Sequence, residues 1–170
     1  DKIAVYTRSD SCGAAEEWAK YLGNYTQDDL NEGVKRANGV AVYGDPGLAE
    51  AVRKDPLGIG YNNLNYAYDA VTGEPVAGIR IIPIDLNENG LIEKEENFYG
   101  TKSELQQAIG RRDYPSPPAR DLNLVTKGKP NGLTKEFIAW CLTEGQQYVT
   151  ETGYIPLPED KLRAELEKIG

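Results

Sequence analysis

The segment from Thr7 to Ala14 combines residue types that suit the binding of an anion. It lies between a predicted strand and a predicted helix, and open α/β sheets bind their ligands at such strand-to-helix turns. Free N–H groups and the positive end of the dipole at a helix start favour negative charge. Arg8 supplies a planar, permanently charged guanidinium that suits an oxyanion, and Gly13 lets the backbone approach a ligand closely.

Asp10 adds a selective element to this candidate site. A carboxylate accepts a hydrogen bond from an oxyanion that carries a proton and repels an oxyanion that carries none. Phosphate holds a proton near neutral pH and sulfate does not, so Arg8 together with Asp10 predicts selection of phosphate. Spacing alone leaves a simpler alternative, in which Asp10 and Ser11 cap an ordinary helix and Arg8 is solvated.

A second group of oxygen-bearing residues, 85–96, has the spacing of an EF-hand calcium loop. Gly90 stands where that loop turns sharply. A predicted strand leads into the loop in place of a helix, so we expect a fixed structural Ca²⁺ and not a sensor that opens. A solvated acidic turn is the alternative. The expected ligands are Asp85, Asn87, Asn89, Leu91 through its carbonyl, Glu93 and Glu96.

The composition of the 170-residue chain argues against several other functions. The chain has no histidine, which removes histidine-based catalysis and most zinc sites. A net charge of −8 without a long block of one sign argues against a nucleic-acid or anionic-membrane surface. No apolar run is long enough to span a membrane. Cys12 and Cys141 are too few for a disulfide framework, so we expect two buried thiols, with one disulfide or one reactive thiol as alternatives.

Strand and helix patterns alternate along the chain and predict an α/β fold. Strands are predicted at residues 3–7, 40–43, 59–61, 78–84 and 122–126. Helices are predicted at residues 11–22, 45–54 (capped by Asp45), 101–109 (opened by the capping box Thr101-x-x-Glu104), 132–142, 144–151 and about 162–169. Residues 24–39 are predicted as a loop or short helix. Residues 113–120 contain three prolines and predict a hinge; we expect the arginines that flank it, among them Arg120, to be solvated or paired, although one of them could reach the anion.

Four parts of the chain resemble, in the same order, motifs of the phosphate-type periplasmic binding proteins. Arg8-x-Asp10-x-x-Gly13 is similar to the R-x-[DE]-G-S-G-T loop of that family. The other three correspondences are residues 42–48 and 58–61 with gn-x-g…aIGY, residues 114–115 and 122–126 with YP…r-l-y-l-v, and residues 137–157 with FI-x-w-x-l-s-x-e-G-Q…GYIPL. The last run is long and fairly specific, and the resemblance covers nearly the whole chain.

The resemblance implies a periplasmic-binding-protein-like fold of two lobes, with a mixed sheet flanked by helices, that closes on its ligand about a hinge. Residues 1–116 would form the second lobe with the calcium loop. Residues 117–170 would be the C-terminal portion of the first lobe, whose N-terminal part we expect to be absent from this chain. The implied ligand contacts are Arg8, Asp10, Cys12, Gly13 and Ala14.

Two departures from the family motif concern the side chains of Cys12 and Ala14, which stand where the family has serine and threonine. Both hydroxyl donors are therefore missing, and a thiol is only a weak donor. We expect the backbone N–H groups of residues 12–14 to contribute more of the binding.

On the resemblance, we expect an extracytoplasmic protein, periplasmic or on the cell surface, that binds inorganic phosphate and delivers it to an ABC transporter permease without chemical turnover. Molybdate or tungstate is an alternative oxyanion. A calcium-stabilised structural or adhesion module that reuses the fold is a further alternative, against which the retained pair of Arg8 and Asp10 argues. A phosphatase acting through Asp10 would need a nucleophile or a paired metal site that the sequence does not provide nearby.

Overall fold

The computed structural model describes residues 2–23 and 25–170. The chain divides into two compact units, Asp1–Arg120 and Asp121–Gly170. This division falls in the proline-rich segment, close to the boundary at residue 116 that the sequence predicts. That the two units are lobes of a binding protein remains a prediction.

The first unit contains a small parallel sheet of three strands: β1 (Ala4–Arg8), β2 (Val40–Val42) and β3 (Gly58–Ile59). The strand order is β2-β1-β3, with Tyr6 opposite Val40 and Ala4 opposite Gly58. Parallel strands need crossover connections, and helices supply them here. The carboxyl ends of all three strands therefore meet at one edge of the sheet, and the α/β architecture predicted from the sequence is confirmed.

Five helices accompany this sheet: α1 (Gly13–Gly23), α2 (Gln27–Arg36), α3 (Gly44–Lys54), α4 (Leu64–Ala67) and α5 (Lys102–Arg111). Helix α5 begins as predicted, since the Thr101 hydroxyl accepts from the Glu104 N–H at 3.2 Å. Helix α2 has the same capping box, formed by Thr26 and Asp29, and this local signal explains a full helix where a loop or short helix was predicted.

The hydrophobic core of the first unit is aromatic and centres on Tyr68, Phe98 and Tyr99, with Leu105 and Ala108 of α5. Tyr68 is 1% exposed and its hydroxyl donates to the Tyr99 carbonyl at 2.9 Å. Burial raises the pKa of Tyr68 to about 12. A buried phenol that has found a partner is a packing group.

Two of the predicted strands do not form. Gly78 lies in a turn with a φ of 84°, and residues 79–84 and 122–126 have no regular structure. A strand is stable only when a neighbour satisfies its backbone groups, and hydrophobic alternation does not supply that neighbour. Pro83 also lacks an N–H to donate, and Val125 is 90% exposed. The strand predicted at 59–61 is found one residue earlier, as β3.

The second unit consists of α6 (Gly132–Leu142), a 3₁₀ helix (Glu144–Tyr148) and α7 (Glu159–Ile169). Helix α6 has the predicted bounds, and its apolar residues Leu133 and Phe137 are 83% and 58% exposed. Gln146 connects the unit: its amide donates to the Cys141 carbonyl at 2.7 Å and accepts from the Leu157 N–H at 3.1 Å. Among the described residues, no helix has the length and hydrophobicity needed to cross a membrane.

Candidate anion-binding site

Arg8 is the last residue of the central strand β1 and lies at the carboxyl edge of the sheet. Its side chain is buried, as 6% exposure of the residue shows. The backbone around it is fixed on both sides, since the Ser9 N–H donates to the Val42 carbonyl at 2.9 Å and the Asn31 amide donates to the Arg8 carbonyl at 3.0 Å. The sequence prediction that this loop follows a strand and precedes a helix is confirmed.

Asp10 holds the guanidinium of Arg8 through two parallel hydrogen bonds. Nε of Arg8 donates to Oδ1 of Asp10 at 2.9 Å and Nη2 donates to Oδ2 at 2.5 Å. The Gly44 N–H adds a third hydrogen bond to Oδ1 at 3.0 Å. These contacts lower the pKa of Asp10, and the hydrogen bonds from Arg8 have the largest effect. The same pairing raises the pKa of Arg8. Asp10 therefore stays ionised and orients Arg8.

This pairing changes the role that the sequence suggested for Asp10. Both of its oxygens already accept hydrogen bonds from the protein, so its first function is to position the arginine, and acceptance of a proton from the anion is not needed to explain it. It does not cap α1 with its side chain either, which removes the simpler alternative of a capped helix start beside a solvated Arg8.

Asp45 is a second carboxylate on Arg8, which sequence reasoning did not assign to the site. Its Oδ1 accepts from Nη1 of Arg8, and its Oδ2 accepts from the Asn63 amide at 2.7 Å. Asp45 was predicted to cap α3, and that prediction is wrong: the N-cap is Tyr43, with no side-chain hydrogen bond. The Asp-Pro pair was a helix-start signal, and nothing local distinguished a cap from an ion pair with a residue 37 positions away.

The start of α1 offers fewer free N–H groups than the sequence suggested. The Cys12 N–H donates to Oε1 of Gln27 at 2.9 Å, and Nε2 of Gln27 donates to the Asp10 carbonyl at 2.7 Å. Gln27 thus fixes the loop, and no sequence signal pointed to it. The first bond of α1 runs from the Glu16 N–H to the Cys12 carbonyl at 3.1 Å. Across residues 2–23 and 25–170, the N–H groups of Gly13 and Ala14 find no acceptor.

The thiols of Cys12 and Cys141 are both free and half-buried. An open cleft of about 300 Å³ beside the loop is lined in part by Asp10, Glu16 and Asp28. Three carboxylates make that cleft unsuitable for an anion. The candidate anion site is therefore the surface formed by Arg8 and the first residues of α1.

The predicted calcium loop folds around its first and last acidic residues. Oδ1 of Asp85 accepts from the Asn89 N–H at 3.3 Å and Oδ2 from the Gly90 N–H at 2.7 Å. Glu96, which is 5% exposed, accepts from the N–H groups of residues 86, 87 and 93 at 2.8, 3.2 and 3.1 Å. Within the described part of the chain, no three acidic, cysteine or histidine side chains converge closely enough to hold a metal ion.

Comparison with known proteins relates the chain to phosphate-binding proteins. It is 28% identical to the phosphate-binding protein PstS of Methanocaldococcus jannaschii, over 99% of this chain and 51% of that protein. The PstS proteins of Haemophilus influenzae and Pasteurella multocida are 27% and 26% identical, over 93% and 95% of this chain. No family profile and no solved structure matches the chain.

These similarities are distant, and the chain spans about half the length of the curated relatives it matches. They support the class of phosphate-binding solute-binding proteins, and the α/β architecture with a small parallel sheet fits that class. Each relative is named for the ligand it binds and not for a reaction that it catalyses.

Proposed function

We propose that this chain binds inorganic phosphate outside the cytoplasm, for delivery to an ABC transporter and without chemical turnover. The observation that carries the proposal is the buried Arg8 at the carboxyl edge of the sheet, held by the paired hydrogen bonds of Asp10. The printed names of the relatives supply phosphate as the ligand. A guanidinium fixed in advance loses little entropy on binding an oxyanion, which favours affinity.

The groups that remain available suit an oxyanion. A guanidinium has five N–H bonds, and Arg8 uses three of them on Asp10 and Asp45. The remaining N–H bonds of Arg8 and the N–H groups of Gly13 and Ala14 would donate to the oxygens of the ligand. Charge-assisted hydrogen bonds to an ionised oxyanion are about twice as strong as neutral ones.

The same geometry supports selection of phosphate over sulfate. Arg8 faces two carboxylates, so the arginine and its two partners carry a net charge of about −1. A fully ionised sulfate would be repelled by Asp10 and Asp45, whereas a phosphate that keeps a proton can donate it to a carboxylate oxygen. In this proposal Asp10 accepts that proton, whereas Asp45 contributes only repulsion.

Isothermal titration of the chain with phosphate, and separately with sulfate, tests this proposal. Phosphate is expected to bind and sulfate is not. Replacing Arg8 by glutamine should weaken phosphate binding about 100-fold, because it leaves two carboxylates without their cation. The matched control is Arg53→Gln, which makes the same charge change at an exposed arginine of α3 that pairs with Glu50, and it should bind normally. Equal binding by the two variants, or equal binding of sulfate, would contradict the proposal.

We also propose that the loop 85–96 binds a structural Ca²⁺. Calcium prefers several oxygen ligands, and the loop contains Asp85, Glu93 and Glu96. None of these three carboxylates has a basic ion-pair partner among the described residues. Their uncompensated negative charge favours a cation. Backbone N–H groups hold Asp85 and Glu96 at the two ends of the loop, and a bound Ca²⁺ would draw the three carboxylates closer together.

Thermal unfolding in Ca²⁺ and in a chelator tests the calcium proposal. Calcium should raise the melting temperature, because a ligand that binds only the folded state stabilises it. Glu96→Gln should remove this Ca²⁺-dependent shift. The neighbouring Glu95→Gln, at an exposed position, should keep it. An unchanged melting temperature in the unmodified chain would show that the loop is a solvated acidic turn.

A further inference from the structure

Arg120 lies directly against Gly13, the first residue of α1. A Cβ atom built on Gly13 would lie 1.9 Å from Nη2 of Arg120 and 2.7 Å from its Cζ. Non-bonded heavy atoms normally approach no closer than about 3.5 Å. Any side chain at position 13 would therefore displace the guanidinium, which is the mobile end of a long side chain.

The side chain of Arg120 makes neither a hydrogen bond nor an ion pair with any residue of the ranges 2–23 and 25–170. Its backbone is nevertheless positioned by a turn. The Ala119 N–H donates to the Pro115 carbonyl at 3.1 Å, and the Ser116 hydroxyl donates to the Ala119 carbonyl at 2.7 Å. A guanidinium with all its donors available is thus placed against Gly13 at the start of α1.

The charge of the candidate site supports a role for this guanidinium. Arg8 is shared between Asp10 and Asp45, and these three side chains sum to about −1. An anion that approached Arg8 alone would meet two carboxylates and a single cation. Arg120 adds one positive charge beside the exposed Gly13, and a positive charge there favours an anion at the start of α1.

We infer that Arg120 is a second arginine that contacts the bound phosphate, with Arg8 as the buried, oriented donor and Arg120 as the exposed one. The inference rests on the proposed phosphate-binding function and adds a residue to its site. Gly13 contributes to this arrangement, since the absence of a side chain there admits Arg120.

Isothermal titration with inorganic phosphate compares the unmodified chain with Arg120→Gln, Arg120→Lys and Arg163→Gln. Arg163 is an exposed arginine of α7 in the other unit, so its variant makes the same change in net charge elsewhere. Arg120→Gln should weaken binding about 10- to 100-fold, the usual effect of losing a hydrogen bond to a charged group. Arg120→Lys should weaken it less, and Arg163→Gln should bind like the unmodified chain.

A double-mutant cycle with Gly13→Ala supplies a readout that a purely structural role would not give. The methyl group should displace Arg120, so Gly13→Ala should weaken phosphate binding strongly in the unmodified chain and only slightly in the Arg120→Gln background. If Arg120→Gln binds phosphate as tightly as Arg163→Gln does, the inference is wrong while the proposed function stands. If the unmodified chain does not bind phosphate, both the inference about Arg120 and the proposed function are wrong.

Discussion

Asp45→Asn tests the role of the second carboxylate at the candidate site. It removes one of the two carboxylates that pair with Arg8 and keeps the shape of the side chain. Because Nη1 of Arg8 donates to Oδ1 of Asp45, a phosphate oxygen that approaches Nη1 is repelled by the Asp45 carboxylate. The asparagine oxygen can still accept from Nη1, but it carries no full negative charge. We therefore expect tighter phosphate binding and a less stable protein.

The magnitudes follow from the geometry. Two like charges about 4 Å apart repel by about 4 kcal/mol at an effective dielectric constant of about 20. The Asp45 side chain is 21% exposed, so solvent and salt reduce this repulsion. We expect a net gain of about 1.4 kcal/mol, which is about tenfold in affinity. Replacing one charge-assisted bond to Arg8 by a neutral one should lower the free energy of unfolding by about 1 kcal/mol.

Isothermal titration with phosphate gives the first quantity and urea unfolding gives the second. Asp160→Asn is the matched control, since Asp160 is an exposed residue of α7 and its variant changes net charge equally. Weaker phosphate binding by a folded Asp45→Asn variant would refute the reasoning, because it would show that Asp45 assists the ligand in place of competing with it. Affinity that rises equally in both variants would indicate a general effect of net charge.

Two further predictions concern the residues that hold the loop. The pKa of Asp10 is lowered by Arg8 and by the Gly44 N–H, so its contribution to stability is present above about pH 4 and is lost as the pH falls towards its folded-state pKa. In urea unfolding at about pH 6 and about pH 3, Asp10→Asn should show a smaller acid-induced loss than Asp160→Asn, and an equal loss would contradict the ion pair. Gln27→Ala removes three hydrogen bonds of the loop, one of them long at 3.4 Å, and should lower the free energy of unfolding by about 2 kcal/mol. Gln107→Ala, at an exposed position of α5, should change it by less than about 0.5 kcal/mol.

The helices show which secondary-structure elements can be predicted from local sequence signals. Helix α5 follows from a signal within the segment itself, namely the capping box at Thr101, and α6 has the bounds predicted for it. Strands depend on partners elsewhere in the chain, and residues 78–84 and 122–126 alternate like strands without finding such a partner. The buried face of a helix also depends on what packs against it, and the sequence of the helix does not contain that information. Ala15 and Ala19 are buried in α1, while Leu22 is 57% exposed.

By itself the sequence determined the α/β class, the strand-to-helix loop that carries Arg8, and the likeness to phosphate-binding proteins, because these depend on residues that are neighbours in the chain. Only the tertiary structure decided what surrounds Arg8. The hydrogen bond of Gln27 to the Asp10 carbonyl joins residues 17 positions apart, and that of Arg8 to Asp45 joins residues 37 apart. The contact of Arg120 with Gly13 spans almost the whole first unit. Such contacts are set by how segments pack, since the energies that choose between a cap, a solvated charge and an ion pair differ by only about 1 kcal/mol.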